Sequence, residues 1–424
     1  MPVRPRAVVV ATGSELVRGD LRDANGSFLA AEALRLGFEP SRIVVVGDRP
    51  DELRAVLQEA LAAPLCLVSG GLGPTHDDRT VELVAEVAGR LLEVRPELEE
   101  EIEAVSRAFA RRSGRPYPDF AVGVRKQATL PEGAVSLGLA GTAPGFVLAT
   151  DAGAVVVLPG PPGELRRLWP RARETEAMAE LLARATAPDR RSLRYFGIGE
   201  SSVAKVFEEA GGDGDGCEVT ICARDFEVHV DLLVEPGGEE RAGVLEEAFT
   251  RELAAFLFAR DHRPVEAIVL DLCRDAGVRI ACAESCTGGL VGALLTAVPG
   301  SSAAFLGSLV AYADEVKRDV VGVPAALLLE HGAVSAEVAQ ALAAGARERT
   351  GAEVGIGVTG IAGPDGGSEE KPVGLVYVHA SAPWGEEALE LRGATDREAV
   401  RQRAAKSALH VARQLLEENR HSSV

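Results

Sequence analysis

From Arg6 to Ser69 short apolar runs alternate with amphipathic segments of helical period, and this alternation restricts the fold more than any other feature of the chain. Arg6–Ala11 reads as a strand, broken at Thr12-Gly13-Ser14-Glu15. A helix over Asn25–Leu36 ends at Gly37; strand Ser41–Val46, helix Asp51–Ala62 and strand Leu65–Ser69 follow. Strands joined by helices in this way form a doubly wound parallel sheet, which binds ligands at the carboxyl ends of its strands. Hydrophobic residues make up 46% of the chain and aromatic residues only 4%, so its cores are built from Ala, Val and Leu. Strands buried on both faces have that composition. A length of 424 residues exceeds one ordinary domain and predicts two or three.

The loop after the third strand is Ser69-Gly70-Gly71-Leu72-Gly73-Pro74-Thr75-His76-Asp77-Asp78. Glycines let backbone N–H groups approach a phosphate, and Thr75 adds a hydroxyl. Asp77 and Asp78 could hold a divalent metal through oxygen ligands. The alternative is a plain glycine turn whose acidic residues suit the next helix dipole. Arg125, Lys126 and Gln127 precede a second glycine passage, Gly141-Thr142-Ala143-Pro144-Gly145, and Pro159-Gly160-Pro161-Pro162 supplies a third.

From about residue 171 the chain turns Ala-, Glu- and Arg-rich. Gly197-Ile198-Gly199-Glu200 is similar to the phosphate clamp of RNA-binding KH modules. Its neighbours Glu200, Asp225, Glu227 and Asp231 are acidic and the net charge of the chain is −19, so nucleic acid is not the expected partner. Of the six cysteines none forms a C-x-x-C pair, which argues for free thiols. No apolar run reaches the length of a membrane span, and a soluble cytoplasmic protein is expected.

The α/β pattern restarts near Asp261. The run Ile280–Leu290 is a strand leading into a helix, with Ser285, Cys286 and Thr287 at the junction. Unpaired N–H groups at a helix start favour a developing oxyanion, so a serine there is placed to attack a carbonyl. Helix capping is the competing role for Ser285 or Thr287, and Cys286 is the rival nucleophile.

These motifs together resemble the CinA family of competence/damage-inducible proteins, over nearly the whole chain. In the first domain the resemblance rests on Gly13-Ser14-Glu15-Leu16, Asp23-Ala24-Asn25, Gly70–Asp78, Gly141–Gly145 and Pro159–Pro162. In the last it rests on Ala283–Gly289, on Tyr312 with Asp314–Lys317, on His331–Ser335, and on Thr359-Gly360-Ile361-Ala362-Gly363-Pro364-Asp365-Gly366-Gly367. It implies a molybdopterin-binding-like domain at 1–172, a small α+β KH-like domain at 173–260 that does not bind RNA, and an α/β amidase domain at 261–424.

The resemblance further implies two activities in pyridine-nucleotide salvage. The last domain would hydrolyse nicotinamide mononucleotide to nicotinic acid mononucleotide and ammonia with no cofactor, and the first would be a metal-dependent ADP-ribose pyrophosphatase. Ser285 would be the nucleophile, Lys317 its base and Tyr312 an orienting or proton-relaying group. N–H groups near Thr287, Gly288 and Gly289 would hold the oxyanion, with Thr359, Gly360 and Gly363 also at the substrate. Arg401 matches a family arginine expected at the substrate phosphate, with Arg397 as the alternative. In the first domain Gly13, Glu15, Asn25, Gly70, Gly71, Gly73, Thr75 and Thr142 would form the nucleotide site, and Asp77 and Asp78 would bind the metal. Gly138 stands where the family usually carries asparagine, which predicts weakened pyrophosphatase activity. A homodimer without nucleic-acid or membrane partners is expected. The rival readings are a molybdopterin-related nucleotide-binding protein and a competence or DNA-repair accessory factor.

Overall fold

In the computed structural model the chain divides into two compact units, one ending at Asp189 and the other beginning at Arg190. The structure describes residues 4–114, 116–393 and 396–422.

The first unit is built on a six-stranded sheet in the order Glu39–Val46, Arg6–Thr12, Leu65–Ser69, Ala154–Leu158, Pro144–Ala149, Val135–Leu139. The first four strands are parallel and Pro144–Ala149 runs antiparallel to both of its neighbours, so the sheet is mixed. Leu65–Ser69 is buried throughout because helices cover both of its faces. Leu53, Leu57, Leu83 and Val84 pack on one side, and Leu29, Ala33, Leu165 and Leu168 on the other. The compact first unit runs on to Asp189, past the domain end expected at 172. Helix Glu176–Leu182 buries Met178 and Leu181 in the core of this first sheet, so residues 173–189 belong with it.

The second unit contains two sheets. The smaller has four strands in the order Cys217–Arg224, Glu227–Val234, Asp189–Tyr195, Leu257–Ala259, and its core includes residues of helices Glu200–Glu209 and Glu239–Glu252. This is a small α+β layer. The larger has five strands in the order Phe305–Val310, Ile280–Glu284, Val354–Gly360, Val376–Ala382, Gly385–Leu391, the first three parallel. Helices Val265–Ala276 and Arg397–Ser422 share its main core, and Ala336–Thr350 contributes to a second one. Ser335 caps that last helix by accepting the Val338 N–H at 3.3 Å. No helix among the described residues is long and apolar enough to cross a membrane, and the cysteines are free.

His410 in the last helix joins the two layers of the second unit. Its ring stacks on Phe196 at 3.8 Å and meets the edge of Phe258 at 4.6 Å. Its Nε2 lies 2.8 Å from Glu227 Oε1, and Nδ1 is buried without a partner. Burial drives the His410 pKa from 6.5 down to about 4, so the ring is neutral and donates Nε2–H. Burial alone would raise Glu227, but hydrogen bonds from His229 and His410 outweigh it and bring the carboxyl to about 2. Both groups take up protons more readily in the unfolded chain. Their stabilisation is therefore complete above about pH 6.5 and is lost as pH falls, first through His410 towards 4 and then through Glu227 towards 2. Between pH 7 and pH 5 calorimetry should record a lower melting temperature for the second unit, reflecting about 2 kcal/mol. A flat or rising melting temperature over that interval would contradict the assignment.

Candidate functional sites

Strand Ile280–Glu284 is wholly buried, an interior strand of the five-stranded sheet, and Ser285 extends it by donating its N–H to Val358 O at 2.9 Å. The chain then turns into helix Leu290–Thr296 through Gly288 and Gly289, with φ of 63° and 97°. That backbone explains the Gly-Gly pair, because other residues rarely adopt it.

Glu284, fully buried, fills the start of this helix. Its Oε2 accepts the N–H groups of Gly289 and Val291, both at 3.0 Å. Its Oε1 accepts Gly292 N–H at 2.9 Å and the Ser308 hydroxyl at 2.6 Å. Gly288 N–H donates to Ser285 O. Of the amides expected near an oxyanion at Thr287–Gly289, those of Gly288 and Gly289 are therefore already taken. The amides of Cys286 and Thr287 remain, lying against the Cys286 sulfur. Burial pushes that thiol up to about 11 although the two amides pull the other way. A protonated thiol is a poor nucleophile, which leaves Ser285.

A cavity of about 180 Å³ opens at Ser285. Tyr312, Asp314, Lys317, Ala333, Val334, Thr359, Gly360 and Arg397 contribute to its wall. Lys317 is 2% exposed and begins a π-helical turn over Lys317–Val321, a local geometry common at functional sites. Its Nζ donates to Tyr312 O at 2.9 Å and Asp314 Oδ1 at 3.1 Å. Among the described residues no hydrogen bond joins Lys317 to Ser285.

The expected substrate-binding residues divide. Thr359 and Gly360 line the cavity, whereas Thr287, Gly288 and Gly289 are not among its lining residues. The Thr359 hydroxyl is bound to Ala333 O at 2.6 Å. Gly363 stands behind the wall, its carbonyl accepting Arg397 Nη1 at 2.6 Å, while Arg397 Nη2 reaches the Tyr312 hydroxyl at 3.2 Å. Arg397, not Arg401, faces the cavity. Arg401 is tied to Thr287 O at 3.0 Å and Glu398 Oε2 at 2.8 Å. Lys371 carried no signal in the sequence, yet its Nζ donates to His331 O and Val334 O at 2.6 and 2.7 Å and holds the loop beside Thr359.

In the first unit a cavity of about 310 Å³ lies at the carboxyl ends of the parallel strands. Gly13, Glu15, Gly70, Gly71, Gly73, Thr75, Asp77, Asp78 and Thr142 all line it. Gly71, at φ 67°, leaves room for Thr80: a Cβ there would lie 2.0 Å from Thr80 Oγ1. Asn25 is not among the lining residues. Its Nδ2 donates to Ser69 Oγ at 2.8 Å and Gly160 O at 2.7 Å, stapling two loops. A side chain on Gly138 would point at Arg171, and Gly138 does not line the cavity either. Asp48 and Glu164 were not anticipated as lining residues. Asp48 is fixed by Ser14 N–H at 2.8 Å, and burial raises the Glu164 carboxyl above its ordinary value.

Among the described residues the cavity wall thus carries five carboxylates, Glu15, Asp48, Asp77, Asp78 and Glu164, and no Lys or Arg. The Thr75 hydroxyl contacts both Asp77 and Asp78 and, foremost among several influences, lowers the Asp77 pKa. The Thr75 N–H also donates to Asp78 Oδ2 at 2.9 Å, and two exposed carboxylates this close could share a hard divalent cation. Among the described residues no three His, Cys, Asp or Glu side chains form a metal-holding group. Asp77, Asp78 and Thr75 could hold an ion only together with further oxygens from a ligand or water.

Residues 8–174 match the family described as probable molybdopterin binding domain, and residues 262–416 match the CinA C-terminal domain. A CinA-like protein of Mycolicibacterium paratuberculosis is 40% identical over 436 residues, covering 98% of this chain and 99% of the relative. One from Mycobacterium tuberculosis is 38% identical over 426 residues, covering 98% of each. The crystal structure of competence/damage inducible protein CihA from Agrobacterium tumefaciens is 38% identical, with a TM-score of 0.35, over 38% of this chain and 99% of that one. With full-length relatives at this identity, the chain belongs to the CinA family.

Proposed function

We propose that the last domain is a serine–lysine amidase acting on nicotinamide mononucleotide. The observation that carries this reading is a buried lysine sharing a small cavity with a serine at the end of a central strand. Ser285 Oγ attacks the carboxamide carbon while Lys317 Nζ takes its proton. Of the N–H groups there, those of Cys286 and Thr287 are the ones left to turn from the Cys286 sulfur to the oxygen that gains charge. Lys317 returns the proton to the leaving nitrogen, releasing ammonia and an acyl ester on Ser285. Water, giving a proton to Lys317, cleaves that ester to the carboxylate and restores Ser285. Arg397 offers its guanidinium to the substrate phosphate and holds the Tyr312 hydroxyl.

We infer for the first unit a metal-dependent hydrolysis of the ADP-ribose diphosphate. Support comes from five carboxylates lining a cavity that has no basic side chain, a wall that would repel a diphosphate on its own. A divalent ion bound at Asp77, Asp78 and Thr75 would supply charge neutralisation. Glu164 is suited to take a proton from the attacking water, since burial holds its carboxyl above the usual range.

Both readings are tested on the full-length protein by measuring ammonia from nicotinamide mononucleotide and AMP from ADP-ribose with Mg²⁺. Chelation with EDTA should abolish AMP formation and leave ammonia release unchanged. Absence of ammonia release at millimolar substrate would sink the amidase reading, and AMP formation that survives EDTA would sink the metal site.

A further inference from the structure

The wall of the Ser285 cavity carries an uneven set of charges. Lys317 and Arg397 supply two cations, and Asp314 is the only carboxylate among its described lining residues. Lys317 is buried, with its Nζ 3.1 Å from Asp314 Oδ1 and 2.9 Å from Tyr312 O. Arg397 is exposed and held by Gly363 O at 2.6 Å and the Tyr312 hydroxyl at 3.2 Å. The rest of the wall is uncharged, and the Thr359 hydroxyl is already given to Ala333 O.

Asp314 has capacity to spare. Its side chain is 58% exposed, and among the described residues Oδ2 has no hydrogen bond. A ring lying between Ser285 and Arg397 therefore has one group that can read its charge. Two fixed cations repel a cationic ring across the few ångströms that so small a cavity allows, and a carboxylate beside it offsets that repulsion. A neutral ring gains nothing from the carboxylate.

We propose that Asp314 is the residue by which this cavity selects an amide on a cationic, N-substituted pyridinium ring over the same amide on a neutral ring. Its negative charge, directed to Lys317 in the empty cavity, is shared with the ring once the substrate is seated. The inference rests on the amidase reading for the place of the carboxamide at Ser285, and adds ring charge as the property recognised.

Nicotinamide mononucleotide and its reduced, dihydropyridine form share ribose, phosphate and carboxamide and differ in ring charge. The test is kcat/KM for ammonia release from each, with full-length wild type and Asp314→Asn, in EDTA so that a metal-dependent site in the first unit stays silent. Asparagine keeps the shape and an acceptor oxygen for Lys317, and a melting curve checks the fold. The ratio of the two values, cationic over neutral, should be about tenfold smaller in the variant, as loss of one partly screened charge contact gives. Comparing ratios removes the difference in intrinsic reactivity between the two amides. If Asp314 acts only by positioning Lys317, both substrates slow equally and the ratio stays put, which overturns the proposal. Where the wild type releases ammonia, this ratio decides, and an unmoved ratio leaves the amidase reading standing without Asp314. Where it releases none, the amidase reading falls and calorimetric binding of the two compounds decides instead. A preference for the cationic form that Asp314→Asn removes then upholds the selection, and equal binding or no binding overturns it.

Discussion

Lys317→Met should lower kcat for ammonia release by about 10³-fold, within the usual contribution of a positioned general base of about 10²–10⁴, while leaving the melting temperature close to that of the wild type. The two halves of this expectation have separate causes. Methionine keeps most of the buried stem and its packing, so the fold loses little. It cannot take a proton from Ser285. The amine's present partners are Tyr312 O and the half-exposed Asp314, so removing it leaves one carbonyl without its donor and a carboxylate that water can reach. Ser285→Ala should show the same loss of rate. A Lys317→Met enzyme within tenfold of wild type would remove the lysine from the mechanism.

Glu284→Gln should have the largest effect on stability. The carboxylate receives four donors, two on each oxygen, in a site with no exposure. A glutamine keeps one acceptor oxygen and puts an NH₂ where the other stood. Either orientation then sets two donors against an N–H. Each unsatisfied buried group costs about 1–3 kcal/mol, so the change costs about 2–6 kcal/mol against a typical total of about 5–15. The second unit's calorimetric transition should fall by several degrees. Ser308→Ala, which removes a single donor, should cost about 1 kcal/mol. The helix start loosens in Glu284→Gln, and with it the turn that holds Ser285, so kcat should drop more than KM rises. A variant that melts with the wild type would mean that these four bonds contribute nothing net.

The alternating pattern of the first unit was legible because its strands are buried on both faces and read as unbroken apolar runs. Glycine loops at the strand ends marked the sites for a similar reason, since Gly71, Gly288 and Gly289 occupy backbone conformations that other residues avoid. What was not legible depends on distant partners. Met178 and Leu181 sit three apart in an Ala-, Glu- and Arg-rich stretch, and nothing local says which core receives them. Arg397 and Arg401 stand four apart and so share a helix face. Only the packing of Thr287 O against Arg401 decides which one faces the cavity. Glu284 stood in the motif without a role, because its four donors include Ser308 on a different strand. Gly288 and Gly289 were the natural oxyanion donors until that carboxylate and Ser285 O claimed their amides.

The His410 contact bears on where this protein can be cut. The helix that presents Arg397 to the cavity also carries His410, whose ring lies between Phe196 and Phe258 with its Nε2–H on Glu227. Cleavage at the expected boundary before Asp261 would leave the last domain with a bare face on its longest helix and a buried imidazole made wet. A fragment intended to carry the cavity at Ser285 alone should therefore begin at Arg190, so that the small α+β layer travels with it as a structural sleeve.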